Sequence, residues 1–253
     1  MTELAFTEVD VEGRVFNEWE KVTMNNFTLG EIKLLIDIAL QEKPTGNTWL
    51  DARYNEQIGI VGHTQPYYRL FYLIAQTLKP RLTVELGCWR GDSSAHFAVG
   101  NPDGQVVCVD IHKDNDVAGL ASLNAAVAHL PNMHFYQKWI SDAVEDVRQY
   151  GPIECIFFDG WHDFAHVNDD WNNYRPLLAD KALCIFDDIT TGYNFEGMLG
   201  FWDSLPGEKF LDSRVHPGIP MGFMIYDNVE TNRETNQAIK PTSAKRSRPA
   251  KKS

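Results

Sequence analysis

The chain has 253 residues, 43% hydrophobic and 23% charged, enough to bury a sizeable core as one large domain or two small ones. The formal net charge of −12 argues against nucleic acid as the main ligand of the body, because phosphate binding needs a positive surface. No run of about 18 apolar residues occurs, so no transmembrane helix is expected; the acidic opening MTELAFTEVDVEGRVF has neither the basic nor the apolar region of a secretory signal, and a cytoplasmic location is expected.

Residues 1–60 read as helical with irregular connections. LGEIKLLIDIALQE (29–42) has the apolar spacing of a helix with a broad buried face, and KPTGNTW (43–49) reads as a loop. GHTQPYYRLFYLIAQTLKP (62–80) is a loop and then a helix, with Pro66 suited to the first turn and the end set by Pro80. From residue 82 the pattern changes to short apolar runs alternating with helices. Strands are expected at 82–87, 105–110, 133–137, 153–159 and 182–188, and helices at 92–100, 118–130, 141–150 and 165–178, with Ser141 a candidate N-cap. That alternation means βαβ units and a parallel sheet covered on both faces. FLDSRV (210–215) and GFMIYD (222–227) have no helix between them and predict an antiparallel hairpin at one sheet edge.

The last fourteen residues, KPTSAKRSRPAKKS, hold six Lys/Arg and no acid, which leaves roughly −18 on the rest of the chain. Residues 230–253 are expected to be a disordered basic tail, a candidate contact for an acidic partner or a membrane surface. The cysteines, Cys88, Cys108, Cys155 and Cys184, form no C-x-x-C pair and are expected to be reduced core thiols.

The turn after the first strand is ELGCWRGDSS (85–94). Gly87 and Gly91 allow a tight turn and a close approach of backbone to a ligand, and the amides opening the next helix can donate to it. VVCVD places Asp110 at the tip of the second strand, where an acid can accept hydrogen bonds from ribose hydroxyls. The two glycines are four apart, so the G-x-G-x-x-G of dinucleotide enzymes is absent, as is the P-loop lysine pattern. The set reads as a nucleoside site.

VELGCWRGDSS, VVCVDIH, FFDGWHDFAHVNDDW and LCIFDDI together resemble class I S-adenosylmethionine-dependent methyltransferases. The pattern is similar to small-molecule O-methyltransferases whose fourth strand ends in D-G-x-H, the relatives of macrocin and sugar O-methyltransferases and of cephalosporin-pathway proteins. The resemblance covers residues 62 to about 227. It implies a Rossmann-like, seven-stranded, mostly parallel α/β sheet of order 3-2-1-4-5-7-6, strand 7 antiparallel, with helices on both faces. It divides the chain into an N-terminal helical cap or substrate lid (1–61), the methyltransferase domain (62–229) and the tail. Glu85, Gly87 and Gly91 would shape the methionine end of the cofactor site with Ser93 nearby. Asp110 would hold the ribose, and Ile111 and Trp139–Ser141 would lie against adenine.

Two apolar strands end in carboxylates, CIFFD at Asp159 and LCIFDD at Asp187 and Asp188. If these strands are neighbours, their ends lie about 4.8 Å apart, and three carboxylates so placed repel unless a cation sits among them. Oxygen ligands suit Mg²⁺ first, or Mn²⁺ or Ca²⁺. Such an ion would hold the acceptor hydroxyl and lower its pKa. Asp159 is also counted with the cofactor site. His162, three residues on, is the candidate general base, with Asp163 in reserve. His63, His112 and His216 are expected on the surface or in packing. The leading expectation is an O-methyltransferase using S-adenosylmethionine and a divalent cation on a hydroxyl of a small molecule or sugar. The alternatives are metal-independent transfer with His162 as base, or a non-catalytic cofactor-binding or assembly protein tethered by its tail. A homo-oligomer is compatible with either.

Overall fold

A computed structural model describes residues 21–62, 64–112, 116–190, 197–216 and 218–228. The basic tail and His63 lie outside the described residues.

Among the described residues, three helices precede the sheet. α1 (Leu29–Ala39) opens on a capping box in which Thr28 and Glu31 satisfy each other's backbone amides. α2 (Thr48–Val61) starts inside the expected loop, because Asn47 caps the amides of Trp49 and Leu50, and it ends on left-handed Gly62. α3 (Pro66–Leu78) begins with proline at its first position and stops at left-handed Lys79. The strands are β1 (Leu82–Leu86), β2 (Gln105–Asp110), β3 (Met133–Gln137), β4 (Ile153–Phe158), β5 (Leu178–Phe186), β6 (Lys209–Asp212) and β7 (Met221–Asp227). The helices among them are α4 (Asp92–Gly100), α5 (Val117–His129), α6 (Val144–Arg148), α7 (Phe164–Tyr174) and α8 (Met198–Ser204).

Differences from expectation fall at element ends and at one whole helix, α8. The single helix expected at 141–150 is a 3₁₀ turn (Ile140–Ala143) running into α6, and Ser141 lies within that turn rather than capping a helix. β5 starts four residues early, after a 3₁₀ turn at Arg175–Leu177 that interrupts the expected 165–178 helix at Pro176. α8 carries no strong periodic signal and was not expected.

The sheet order is β3-β2-β1-β4-β5-β7-β6, parallel except for β7, which runs antiparallel to both neighbours, as the resemblance implied. The central strands are buried on both faces. Leu82, Val84, Leu86, Ile156, Phe158 and Phe186 pack with Trp171, Tyr174, Phe201 and Trp202 on one side. Phe157 and Ile185 face Phe71 and Phe97 on the other, in the same core that takes Ile32 and Ile36 of α1. The first helices therefore share the core of the sheet. No helix among the described residues is long and apolar enough to cross a membrane.

The register decides where chemistry gathers. Leu86 pairs with Val109 and Phe158, Phe158 with Phe186, and Phe186 with Gly222. Gly87, Asp110, Asp159 and Asp187 therefore stand along one rim. Because β7 is antiparallel, the residues just before it arrive at that rim too.

Candidate active site

The rim begins with the turn after β1. Gly87 (φ 85°) lies against the end of β4, where a Cβ would come 2.6 Å from the carbonyl carbon of Asp159. Gly91 (φ 74°) packs on Leu123 and Met133. Asp110 holds this turn: one of its oxygens accepts from the amides of Cys88 and Trp89, both at 2.9 Å, and the other from that of His112 at 2.7 Å. The acid expected to meet the ribose thus also shapes the loop beside it.

Glu85 is fully buried and accepts hydrogen bonds from the hydroxyls of Ser93 and Ser94. Burial pushes its carboxyl up to about 8 even though both serines pull it down. Ser93 is therefore committed to Glu85. Helix α2 reaches the turn as well. Arg53 pairs with Asp92 at 2.6 Å and donates to the carbonyl of Arg90 at 3.0 Å. That brace had no motif to announce it.

A cavity of about 630 Å³ opens along the rim, lined by Gly87, Asp110, Ile111, Ser141 and Asp159, with Trp139 and Trp161 among its walls. Six of the expected cofactor residues are thus Gly87, Asp110, Ile111, Ser141 and Asp159 on the wall and Gly91 in the turn; Glu85 and Ser93 lie behind it. Residues of α7, including Asp169, Asp170 and Asn173, line the far side.

Beside the cavity lie the carboxylates. His162 spans two of them, with Nε2 at 3.4 Å from Asp159 and Nδ1 at 2.9 Å from Asp188. Burial disfavours its charged form, but the hydrogen bonds to Asp159 and Asp188 outweigh that and hold the imidazole up to about 10. Desolvation, with the charge of Asp187 behind it, raises Asp159 to about 7. Asp188 sits in the left-handed region (φ 56°) with Oδ1 buried and without a hydrogen-bond partner. Asp163, the reserve base, caps α7 instead, accepting from the amide of His166 at 3.0 Å and meeting its Nδ1 at 2.6 Å.

The expectation that His216 is a surface or packing residue is corrected. Its Nδ1 lies 3.0 Å from Asp187, and only 15% of its side chain is exposed. Ligand atoms of Asp187, Asp188 and His216 all lie within 4.8 Å of one another, while Asp159 is joined to this group through His162. The missed signal was topological: an antiparallel β7 pairing Gly222 with Phe186 must bring the preceding loop to the end of β5. His112 is buried, with Nε2 at 2.6 Å from the carbonyl of Trp89, a packing role. All four cysteines are free and buried.

The sheet order is that of a Rossmann-like fold which the chain shares with solved O-methyltransferases. Residues 84–189, from β1 to just past β5, match the family described as a methyltransferase domain. The chain is similar in fold to an O-methyltransferase from Bacillus cereus solved in complex with SAH, at 12% identity, covering 78% of this chain and 100% of that one with a TM-score of 0.59. It is also similar to the O-methyltransferase TomG from Streptomyces achromogenes, involved in tomaymycin synthesis and solved with SAM, at 13% identity, covering 76% and 96% with a TM-score of 0.58. A curated relative, the uncharacterized protein y4gI of Sinorhizobium fredii, is 24% identical over 143 residues, 52% of this chain. The match spans 16% of that relative's length.

Proposed function

We propose that the protein is an S-adenosylmethionine-dependent O-methyltransferase that uses a divalent cation to methylate a hydroxyl of a small molecule or sugar. One observation carries this reading: the cavity beside the Gly87 turn and Asp110 runs to Asp159, and the buried pair Asp187 and Asp188 lies one imidazole beyond. A cofactor in that cavity would direct its sulfonium end toward the carboxylates, as SAM- and SAH-bound proteins of the same fold make reasonable.

Asp110 and Gly87 would seat the nucleoside, and the tryptophan walls would exclude water from it. The orphaned Oδ1 of Asp188, buried among other acids, is the feature a cation would satisfy. Bound there, a dication supplies Lewis acidity to an acceptor hydroxyl. His162 carries a proton because Asp159 and Asp188 hold it there. A cation held by Asp188 would weaken that hold, and the imidazole, once it had released its proton to water, would be the group placed to accept the hydroxyl proton. Holding acceptor and methyl in line would supply much of the rate.

The test is calorimetric titration of the full chain with SAH and with Mg²⁺ or Mn²⁺, together with mass spectrometry of an extract incubated with labelled S-adenosylmethionine. Saturable SAH binding, cation binding, and a product heavier by one methylene whose formation EDTA suppresses are expected. Absence of SAH binding would remove the methyltransferase reading. Turnover indifferent to EDTA would remove the cation alone.

A further inference from the structure

We propose that His216 is a direct ligand of the divalent cation, completing with Asp187 and Asp188 a set of two carboxylates and one imidazole. The inference rests on the cation reading above and adds the donor that sets the kind of metal.

Three observations carry it. The donor atoms of Asp187, Asp188 and His216 are mutually within 4.8 Å, so one ion can reach all three after small side-chain rotations. His216 Nδ1 stands 3.0 Å from Asp187 Oδ1 and 4.0 Å from Asp188 Oδ1. That second oxygen is buried and without a hydrogen-bond partner on a residue only 7% exposed, a costly state for a carboxylate that a bound cation would relieve.

Both sides of the cluster are held by backbone rather than by loose side chains. The amide of Ile189 donates to the carbonyl of Pro220 at 2.9 Å, tying the end of β5 to the loop that carries His216. The amide of Tyr67 donates to the carbonyl of Val215 at 3.0 Å, and the Tyr67 ring packs on the His216 ring at 5.2 Å between centroids. Asp188 itself holds a left-handed backbone conformation (φ 56°), which an ordinary strand end does not need. Positions fixed this way are what a metal site needs and what a chance ion pair does not.

The consequence is selectivity. Mg²⁺ prefers oxygen donors and retains its waters, whereas an imidazole nitrogen beside two carboxylates favours Mn²⁺, Fe²⁺, Co²⁺ or Zn²⁺. Three protein donors leave coordination positions for oxygens of the acceptor.

Mn²⁺ bound to the full-length protein, read by pulsed electron paramagnetic resonance, tests this without turnover. The expected result is ¹⁴N modulation from a coordinated imidazole in the wild type and in His162→Gln. His216→Gln should lose the modulation, bind Mn²⁺ at least about tenfold more weakly, and change little in Mg²⁺ affinity, with an unaltered circular dichroism spectrum. Mn²⁺ bound without ¹⁴N modulation, or modulation that survives in His216→Gln, would overturn the role of His216 and leave the cation reading standing. A wild type that binds no Mn²⁺, or an Asp187→Asn/Asp188→Asn variant that binds it as tightly as the wild type, would overturn both.

Discussion

Gly87 packs so closely on Asp159 that a Cβ at residue 87 would lie 2.1 Å from the Asp159 carbonyl oxygen. The obstruction is backbone at the end of a central strand and cannot rotate away. Gly87→Ala therefore meets two penalties, a left-handed φ of 85° and the overlap, together about 3 kcal/mol or more. Gly62 is a fair control: its φ is 79° and a Cβ there meets nothing within 4 Å, so Gly62→Ala should cost about 1 kcal/mol. Urea midpoints for the two variants check the difference, and SAH titration should show binding lost only at Gly87. Equal losses of stability would contradict the close approach.

Glu85 makes stability depend on pH. Its carboxyl is raised from 4.5 to about 8 by burial, so the folded state favours the protonated form. For an acid raised on folding, the stabilisation is complete below the unfolded value and is lost as pH climbs through the folded one. Between pH 4.5 and 8 the wild type should lose on the order of 4 kcal/mol relative to Glu85→Gln, which keeps the hydrogen bonds to Ser93 and Ser94 without the charge. Chemical unfolding of both proteins at half-unit pH steps measures the difference. Parallel curves would mean that Glu85 is ionised comfortably in its site.

The rim was legible because a parallel sheet converts one-dimensional spacing into position. An apolar run that stops at an acid must deliver that acid to the carboxyl edge, and Asp110, Asp159 and Asp187 all arrived there by this rule. Burial of the central strands on both faces likewise follows from apolar runs too short for helices. Side-chain partnership was less legible. Ser93, expected near the methionine end of the cofactor, donates its hydroxyl to Glu85, a pairing the sequence did not announce, because a buried acid draws the nearest hydroxyl donors to itself. Asp163 directly follows the D-G-x-H stretch but at a helix start, and capping claims it. His216 and Arg53 come from loops and helices far away in the chain, and only packing brings them to the site.

Arg53 and Asp92 form a nearly buried pair, 11% and 4% exposed, that braces α2 against the glycine turn. Desolvation raises the Asp92 carboxyl despite Arg53 and Arg90 beside it, so the pair adds more to geometry than to net stability. Either Arg53→Met or Asp92→Asn alone leaves a buried partner uncompensated and should cost about 3 kcal/mol. The double variant should recover at least half of the summed loss, which a double-mutant cycle in urea measures directly. Additive losses would show that the two side chains do not act on each other. Arg53→Met should also weaken SAH binding, since the carbonyl of Arg90 loses its donor.

His162 links the cavity-lining Asp159 to Asp188 of the carboxylate cluster, and any acceptor hydroxyl reaching both sides passes it. Replacing it with glutamine keeps a hydrogen-bonding side chain between the two acids but removes the group that can take up a proton. If His162 is the base, His162→Gln should lower kcat by about 10²- to 10⁴-fold while leaving the KM for S-adenosylmethionine and the Kd for SAH within about threefold. A side chain that merely separates two acids behaves otherwise, because its loss would let the carboxylates repel and distort the wall at Asp159. SAH affinity would then fall together with kcat, and the wild-type rate would return with a cationic replacement such as His162→Lys. Steady-state kinetics on the two variants, alongside SAH titration, separates the proton acceptor from the spacer.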